Sequence, residues 1–374
     1  MKFVLAPDSF KECMSSKEVC ETMEIAIRKV YPDAEVIEVP MADGGEGTVE
    51  ALVEATSGTY HMVKVTGPLG NKVEAVFGLL GNMKTAVIEM ATASGLHLVK
   101  REERNPLITT TYGTGELIKA ALDLGVRHIV IGIGGSATND GGAGMIQALG
   151  GKLLDKEGNE IAFGGGELDK IETIDLSNLD PRIKDTVIEV ACDVTNPLIG
   201  EKGASEIFGR QKGATDEMVK VLDSNLAHYA DVIKRDLGID IAYVEGAGAA
   251  GGLGAALLAF LKGELKRGID LVIKHTELKE KLEGADYVFT GEGSIDYQTM
   301  YGKTPIGVAT IAKEKGVKTI AFAGNVGEGI DILYTGGITA IFSIMLGVST
   351  LDNALKNGKE NLRITVENAV RILS

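Results

Sequence analysis

The chain of 374 residues carries 53 acidic against 38 basic side chains, a formal net charge of −15, and 44% hydrophobic residues. So acidic a surface repels nucleic acid and anionic membranes, no apolar run reaches bilayer-spanning length, and the lack of tryptophan argues against a base-stacking platform. The length suits two domains; Cys13, Cys20 and Cys192 follow no disulfide pattern, and the five histidines show no zinc spacing.

In chain order, residues 2–6 read as a short apolar strand that opens a chain without a signal-peptide pattern, so a cytoplasmic location is expected. Ser15 or Ser16 can cap a helix reaching about Val30, because Val19, Met23, Ile27 and Val30 recur near helical spacing. A turn at Pro32-Asp33 leads to a strand over 35–39, a Gly-rich turn at 43–47 and a helix over 49–55. Residues 59–66, 72–80 and 85–90 are then strands separated by turns, which predicts an antiparallel meander. A helix over 116–124 precedes a β-branched strand at 128–131, a Gly-rich loop at 132–142 and a short helix at 143–149.

Minor strands follow at 152–154 and 171–176, and a strong strand at 187–191. Helices are predicted over 216–237 and 254–266. From residue 286 the first pattern returns, with strands at 286–290, 318–323 and 340–344, a helix from Pro305 to about Lys315, and a last helix over 351–373. Five strands, most followed by a helix, have the content of a doubly wound parallel five-strand sheet. The expected organisation is one α/β domain from 1–58 and 286–374, interrupted by a second α/β domain with a mixed sheet over 59–285, with ligand loops facing a shared cleft.

Two nucleotide-like patterns are weak. Gly246-Ala247-Gly248-Ala249-Ala250-Gly251 matches a dinucleotide fingerprint but lacks the acidic residue about twenty positions on. Gly302-Lys303-Thr304 resembles the end of a P-loop, yet Tyr297 stands where its first glycine belongs. The stronger signal is a set of polar turns: Asp8 with Lys11, Asp43 with Thr48, Asn139 with Asp140, Asp193 with Asn196, and Glu292 with Asp296. Singly, each acid reads as a cap or a solvated turn residue. Together, carboxylates and amides without histidine suit Mg²⁺, and lysines beside Gly-rich loops suit phosphate, which is the apparatus of phosphoryl transfer.

The segments Ala6-Pro7-Asp8-Ser9-Phe10-Lys11, Ala42-Asp43-Gly44-Gly45-Glu46-Gly47-Thr48, Gly134-Gly135-Ser136-Ala137-Thr138-Asn139-Asp140-Gly141-Gly142, Cys192-Asp193-Val194-Thr195-Asn196-Pro197-Leu198 and Thr290-Gly291-Glu292-Gly293-Ser294-Ile295-Asp296 together resemble the type-1 glycerate kinase family, in order and along the whole chain. The resemblance implies a flavodoxin-like domain interrupted by a second α/β domain. It also implies Mg²⁺-dependent phosphorylation of D-glycerate by ATP, giving 2-phosphoglycerate or, as the alternative, 3-phosphoglycerate. A monomer or homodimer without nucleic-acid or membrane partners is expected.

On that resemblance Asp193 is the expected base, with Asp43 the competitor, and Lys11 and Lys303 neutralise phosphate or carboxylate charge. Gly134, Gly135 and Ser136 cradle an anionic group, helped by Asp8, Ser9, Gly44, Gly45, Thr48, Thr138, Asn139 and Asn196. Asp140, Glu292 and Asp296 are the expected Mg²⁺ ligands. A hydroxy-acid dehydrogenase, resting on Gly246 to Gly251, and a non-catalytic sugar-acid sensor are the competing functions.

Overall fold

In the computed structural model, which describes residues 1–373, the chain divides into two units. Met1–Gly58 and the segment from Gly268 onward make one; Thr59–Arg267 makes the other. The return crossing thus comes at Gly268, earlier than the strand pattern from residue 286 suggests. The apolar run after Asp270 is a helix, Gly268–His275, and it belongs with the first unit. A Cβ on Gly268 would lie 2.0 Å from the Asp43 carbonyl oxygen, so this helix starts in backbone contact with the Asp43 turn.

The first unit is a parallel sheet of five strands in the spatial order Glu35–Glu38, Lys2–Leu5, Tyr287–Ile295, Lys318–Val326, Ile338–Ser343. By chain order this is 2-1-3-4-5, the flavodoxin-like winding, and the order reverses at Lys2–Leu5. Alternation along the strands feeds both faces. Phe3, Leu5, Phe289, Ile320 and Phe322 bury one face against the helices Ser16–Val30 and Leu351–Ile372 through Val19, Met23, Ile27, Leu362 and Val366. Ala321 and Ala323 bury the other against Thr304–Glu314 through Ile306 and Ala309. The first helix begins with a capping box, Ser15 Oγ accepting from the Glu18 N–H at 3.3 Å and Glu18 Oε2 from the Ser15 N–H at 3.0 Å.

The second unit holds a mixed six-stranded sheet in the order Glu264–Lys266, Val187–Ala191, His128–Gly132, Thr85–Glu89, Lys72–Leu79, Thr59–Thr66. The meander of the last three is antiparallel as predicted, and Thr85–Glu89 joins it to a parallel half. The predicted helix over 254–266 is placed differently. Helical structure spans Ala249–Leu261, broken by left-handed Ala250, Gly251 and Gly252; a left-handed Lys262 ends it, and Glu264–Lys266 is a strand. No helix among the described residues is long and apolar enough to cross a membrane.

Candidate active site

In an open α/β sheet, ligands bind beyond the carboxyl ends of the strands where the order reverses. In the first unit that point lies past Leu5 and Thr290, and a cavity of about 680 Å3 opens there. Its charged wall includes Asp8, Lys11, Asp43, Glu292 and Lys303, with Glu12 exposed at its margin; Ile344, Met345, Leu351, Ala354 and Leu355 line an apolar part. Glu292 is carried by a strand and not by a loop, because Tyr287–Ile295 runs on through the Gly-rich sequence in register with Lys318–Val326.

The carboxylates are held under electrostatic pressure. Asp8 accepts from Thr304 Oγ1 at 2.6 Å and from the Ser9 N–H at 2.6 Å, yet burial and the nearby Asp43 push its carboxyl up to about 6. Glu292 accepts from Thr299 Oγ1 at 2.8 Å and pairs with Lys303 Nζ at 3.3 Å; burial still pushes it up to about 7, and Asp8 adds to the rise. Asp43 fixes its own turn by accepting the Gly45 N–H at 3.1 Å. The donors are all oxygen, the ligand type a hard divalent cation takes, although the three carboxylates are not drawn into one preformed ligand cluster.

Other predicted residues turn to internal tasks. Thr48 Oγ1 donates to the Gly45 carbonyl at 2.7 Å, closing its loop. Asp296 caps the short turn Tyr297–Tyr301, accepting the Gln298 N–H at 2.7 Å, and it is not part of the cavity wall. Gly44 is buried, while Ser9 and Gly45 are half-buried.

In the second unit, the strands His128–Gly132 and Val187–Ala191 are parallel neighbours paired Gly132 to Ala191. The loops that begin at Ile133 and Cys192 therefore leave the same sheet edge. Gly134 and Gly135 are exposed, Gly135 is left-handed at φ +71°, and Asp193 is exposed. Two hydrogen bonds, Leu96 N–H to Gly135 O at 2.8 Å and Ala137 N–H to Ser94 O at 2.9 Å, hold the loop extended. Asn196 braces its own segment, donating from Nδ2 to the Lys202 carbonyl at 2.9 Å.

Asp140 is fully buried, and it accepts from the Thr111 N–H (2.7 Å), Thr111 Oγ1 (2.8 Å), the Gly142 N–H (3.1 Å) and the Gly144 N–H (3.3 Å). It is the clasp of the loop, and both its oxygens are engaged in holding that loop instead of facing a metal ion. Thr138 and Asn139 are also fully buried, and Asn139 Nδ2 donates to Ser205 Oγ at 3.0 Å.

Lys212 escapes sequence reasoning. Its side chain is 2% exposed, and Nζ donates to Ser136 Oγ and to the Thr138 carbonyl, both at 2.7 Å. Desolvation lowers its ammonium to about 7. A lysine in a turn is read as solvated, and the flanking Gly209 and Gly213 were the sole signals of close packing. Thr304 was dismissed with the P-loop resemblance, although it holds Asp8.

The dinucleotide-like glycines have a packing role. A Cβ on Gly251 would lie 2.0 Å from the Thr138 carbonyl oxygen, and the Gly141 N–H donates to the Gly251 carbonyl at 3.0 Å. Their small size serves the approach of one backbone to another, which removes the sequence basis for a dehydrogenase.

Comparison with known proteins gives a consistent result. A sequence model of the glycerate kinase family matches residues 3–374. The chain is 55% identical over 362 residues to the glycerate 2-kinase of Escherichia coli K12, covering 97% of this chain and 95% of that one. It is 54% identical over 365 residues to the glycerate kinase of Bacillus subtilis 168, covering 98% and 96%. A crystal structure assigned as glycerate kinase 2 of Salmonella typhimurium LT2 superposes with a TM-score of 0.93 at 53% identity, covering 100% of this chain and 98% of that one.

Proposed function

The chain belongs to the glycerate kinase family, and from that premise we propose that it transfers the γ-phosphoryl group of ATP to the 2-hydroxyl of D-glycerate, with Mg²⁺, giving 2-phosphoglycerate. The positional choice is supported by the Escherichia coli relative, which is named a glycerate 2-kinase. The observation that carries the reading is the convergence of Asp8, Asp43, Glu292, Lys11 and Lys303 on one cavity of about 680 Å3 at the switch point of the parallel sheet. That volume lies in the range of nucleotide-sized ligands and far exceeds the needs of a three-carbon acid.

In this reading the first unit takes the nucleotide. The apolar part, with Ile344, Met345, Leu351 and Leu355, receives the base, and Lys11 and Lys303 face the phosphates. Asp8, Asp43 and Glu292 would hold Mg²⁺, which would offset the charge that develops on the phosphates. The second unit takes the acid. The Gly134-Gly135-Ser136 loop receives an oxyanion, and Asp193, leaving the neighbouring strand at the same edge, accepts the proton of the attacking hydroxyl. The hydroxyl oxygen bonds to the γ-phosphorus as the bond to the β-γ bridging oxygen breaks, and ADP departs. Transfer requires both substrates to meet, and their meeting with water excluded is part of the proposal. So are a cytoplasmic location, consistent with three free cysteines, and a monomeric or homodimeric state.

Asp193→Asn tests the base. The expected result is a kcat lower by roughly 100-fold or more with KM for both substrates kept within a few-fold, because an amide preserves shape and loses basicity. A folded Asp193→Asn protein with near-normal kcat would remove Asp193 from the role of base.

A further inference from the structure

A buried lysine is ordinarily paired with an acid. Lys212, at 2% exposure, instead contacts two uncharged acceptors, Ser136 Oγ and the Thr138 carbonyl. The nearby acid, Asp140, already takes four hydrogen bonds from Thr111, Gly142 and Gly144. Fastening the loop does not require a charge, since a glutamine amide could donate to the same two oxygens. The same loop also contains Thr138 Oγ1 and Asn139 Oδ1, both buried without a hydrogen-bond partner among the described residues. The loop is thus built with polar capacity that its own packing does not use.

As an ammonium, the form that a bound oxyanion favours, Lys212 has no lone pair and donates to Ser136 Oγ, and the single Ser136 proton is left to point elsewhere. Ser136 is 7% exposed and follows directly on the exposed Gly134 and Gly135.

We propose that Lys212 is a positioning residue for phosphoryl transfer: from inside the core it fixes Ser136 as an outward hydrogen-bond donor and supplies the positive charge behind an oxyanion of the substrate on the Gly134-Gly135-Ser136 loop. The inference rests on the reading that this loop binds a substrate oxyanion, and two sources share that chemistry, the carboxylate of glycerate and a phosphoryl oxygen of ATP. It explains how a chain of net charge −15 presents a site for an anion on a loop whose exposed residues are glycines. The substrate's oxyanion supplies the negative partner on the far side of Ser136, while Asp140 is already committed to its own four donors.

The test is steady-state kinetics of the full chain with ATP, Mg²⁺ and D-glycerate, comparing wild type, Lys212→Gln, Ser136→Ala and the double variant, with thermal melts of each. Loss of a charge-assisted contact predicts a kcat/KM lower by roughly 10- to 100-fold in Lys212→Gln. A rise confined to the KM for D-glycerate assigns the carboxylate, and a rise confined to the KM for ATP assigns the phosphoryl group. Because Lys212 acts through Ser136, the double variant should lose little more than the worse single variant. Lys212→Gln indistinguishable from wild type overturns the proposal. So does a loss that multiplies with that of Ser136→Ala and tracks a lowered melting temperature, since that is a purely structural role. A wild-type chain that transfers nothing to D-glycerate removes the underlying reading and this role with it.

Discussion

Burial pushes the carboxyl of Glu292 up to about 7 even with Lys303 Nζ at 3.3 Å. The linkage follows from that direction. The folded state holds this proton more tightly than the unfolded state, so stability falls as pH rises from about 4.5 to about 7, and the full cost, on the order of 3 kcal/mol, persists above. Glu292→Gln keeps one acceptor, for Lys303 Nζ, turns its amide to donate to Thr299 Oγ1, and never ionises. In metal-free protein it should melt with wild type at pH 4 and several degrees above it at pH 8, while losing activity and raising the KM for MgATP. Wild type and variant melting together at pH 8 would show that Glu292 is not strained by its burial. Asp140 makes the contrast. It too is an acid in a Gly-rich motif, but four donors surround it and consume its oxygens. Both side chains were visible in the sequence; the donors around each are set by packing, which the sequence pattern does not reveal.

At the scale of elements, the loop over residues 132–142 owes its path to the glycines that meet it. Gly251 is left-handed at φ +69°, and its α-carbon hydrogen faces the Thr138 carbonyl so closely that a Cβ would stand 2.0 Å from the oxygen. Gly251→Ala should therefore cost about 2–4 kcal/mol, combining left-handed strain with overpacking, and it should depress kcat/KM by shifting the loop. Urea unfolding reads the first effect and initial rates the second; a stability within 0.5 kcal/mol of wild type, on the order expected for a neutral surface change, would contradict this account. The strands were legible because their apolar runs are short and β-branched, and the parallel five-strand sheet and the antiparallel meander followed from them. The return crossing was not legible, because Gly268–His275 reads as a plain apolar run until it meets the Asp43 turn. The break in Ala249–Leu261 was hidden in the same way, since three left-handed residues in a Gly-Ala sequence leave no periodic trace. Lys212 was invisible because burial of a turn lysine depends on residues 74 and more positions away.

For the whole molecule, a net charge of −15 must coexist with two anionic substrates. In the proposed site this is met locally, by Lys11 and Lys303 beside the acids of the first unit's cavity, and by a glycine loop backed by Lys212 in the second unit. Phosphorylation of the 2-hydroxyl of D-glycerate by this chain can be followed by phosphorus NMR of the purified protein with ATP, Mg²⁺ and D-glycerate. The account predicts a new monoester resonance matching 2-phosphoglycerate, appearing as the γ-phosphate signal of ATP declines. A resonance matching 3-phosphoglycerate would contradict the positional claim, and unchanged ATP in a folded sample would contradict the proposed reaction.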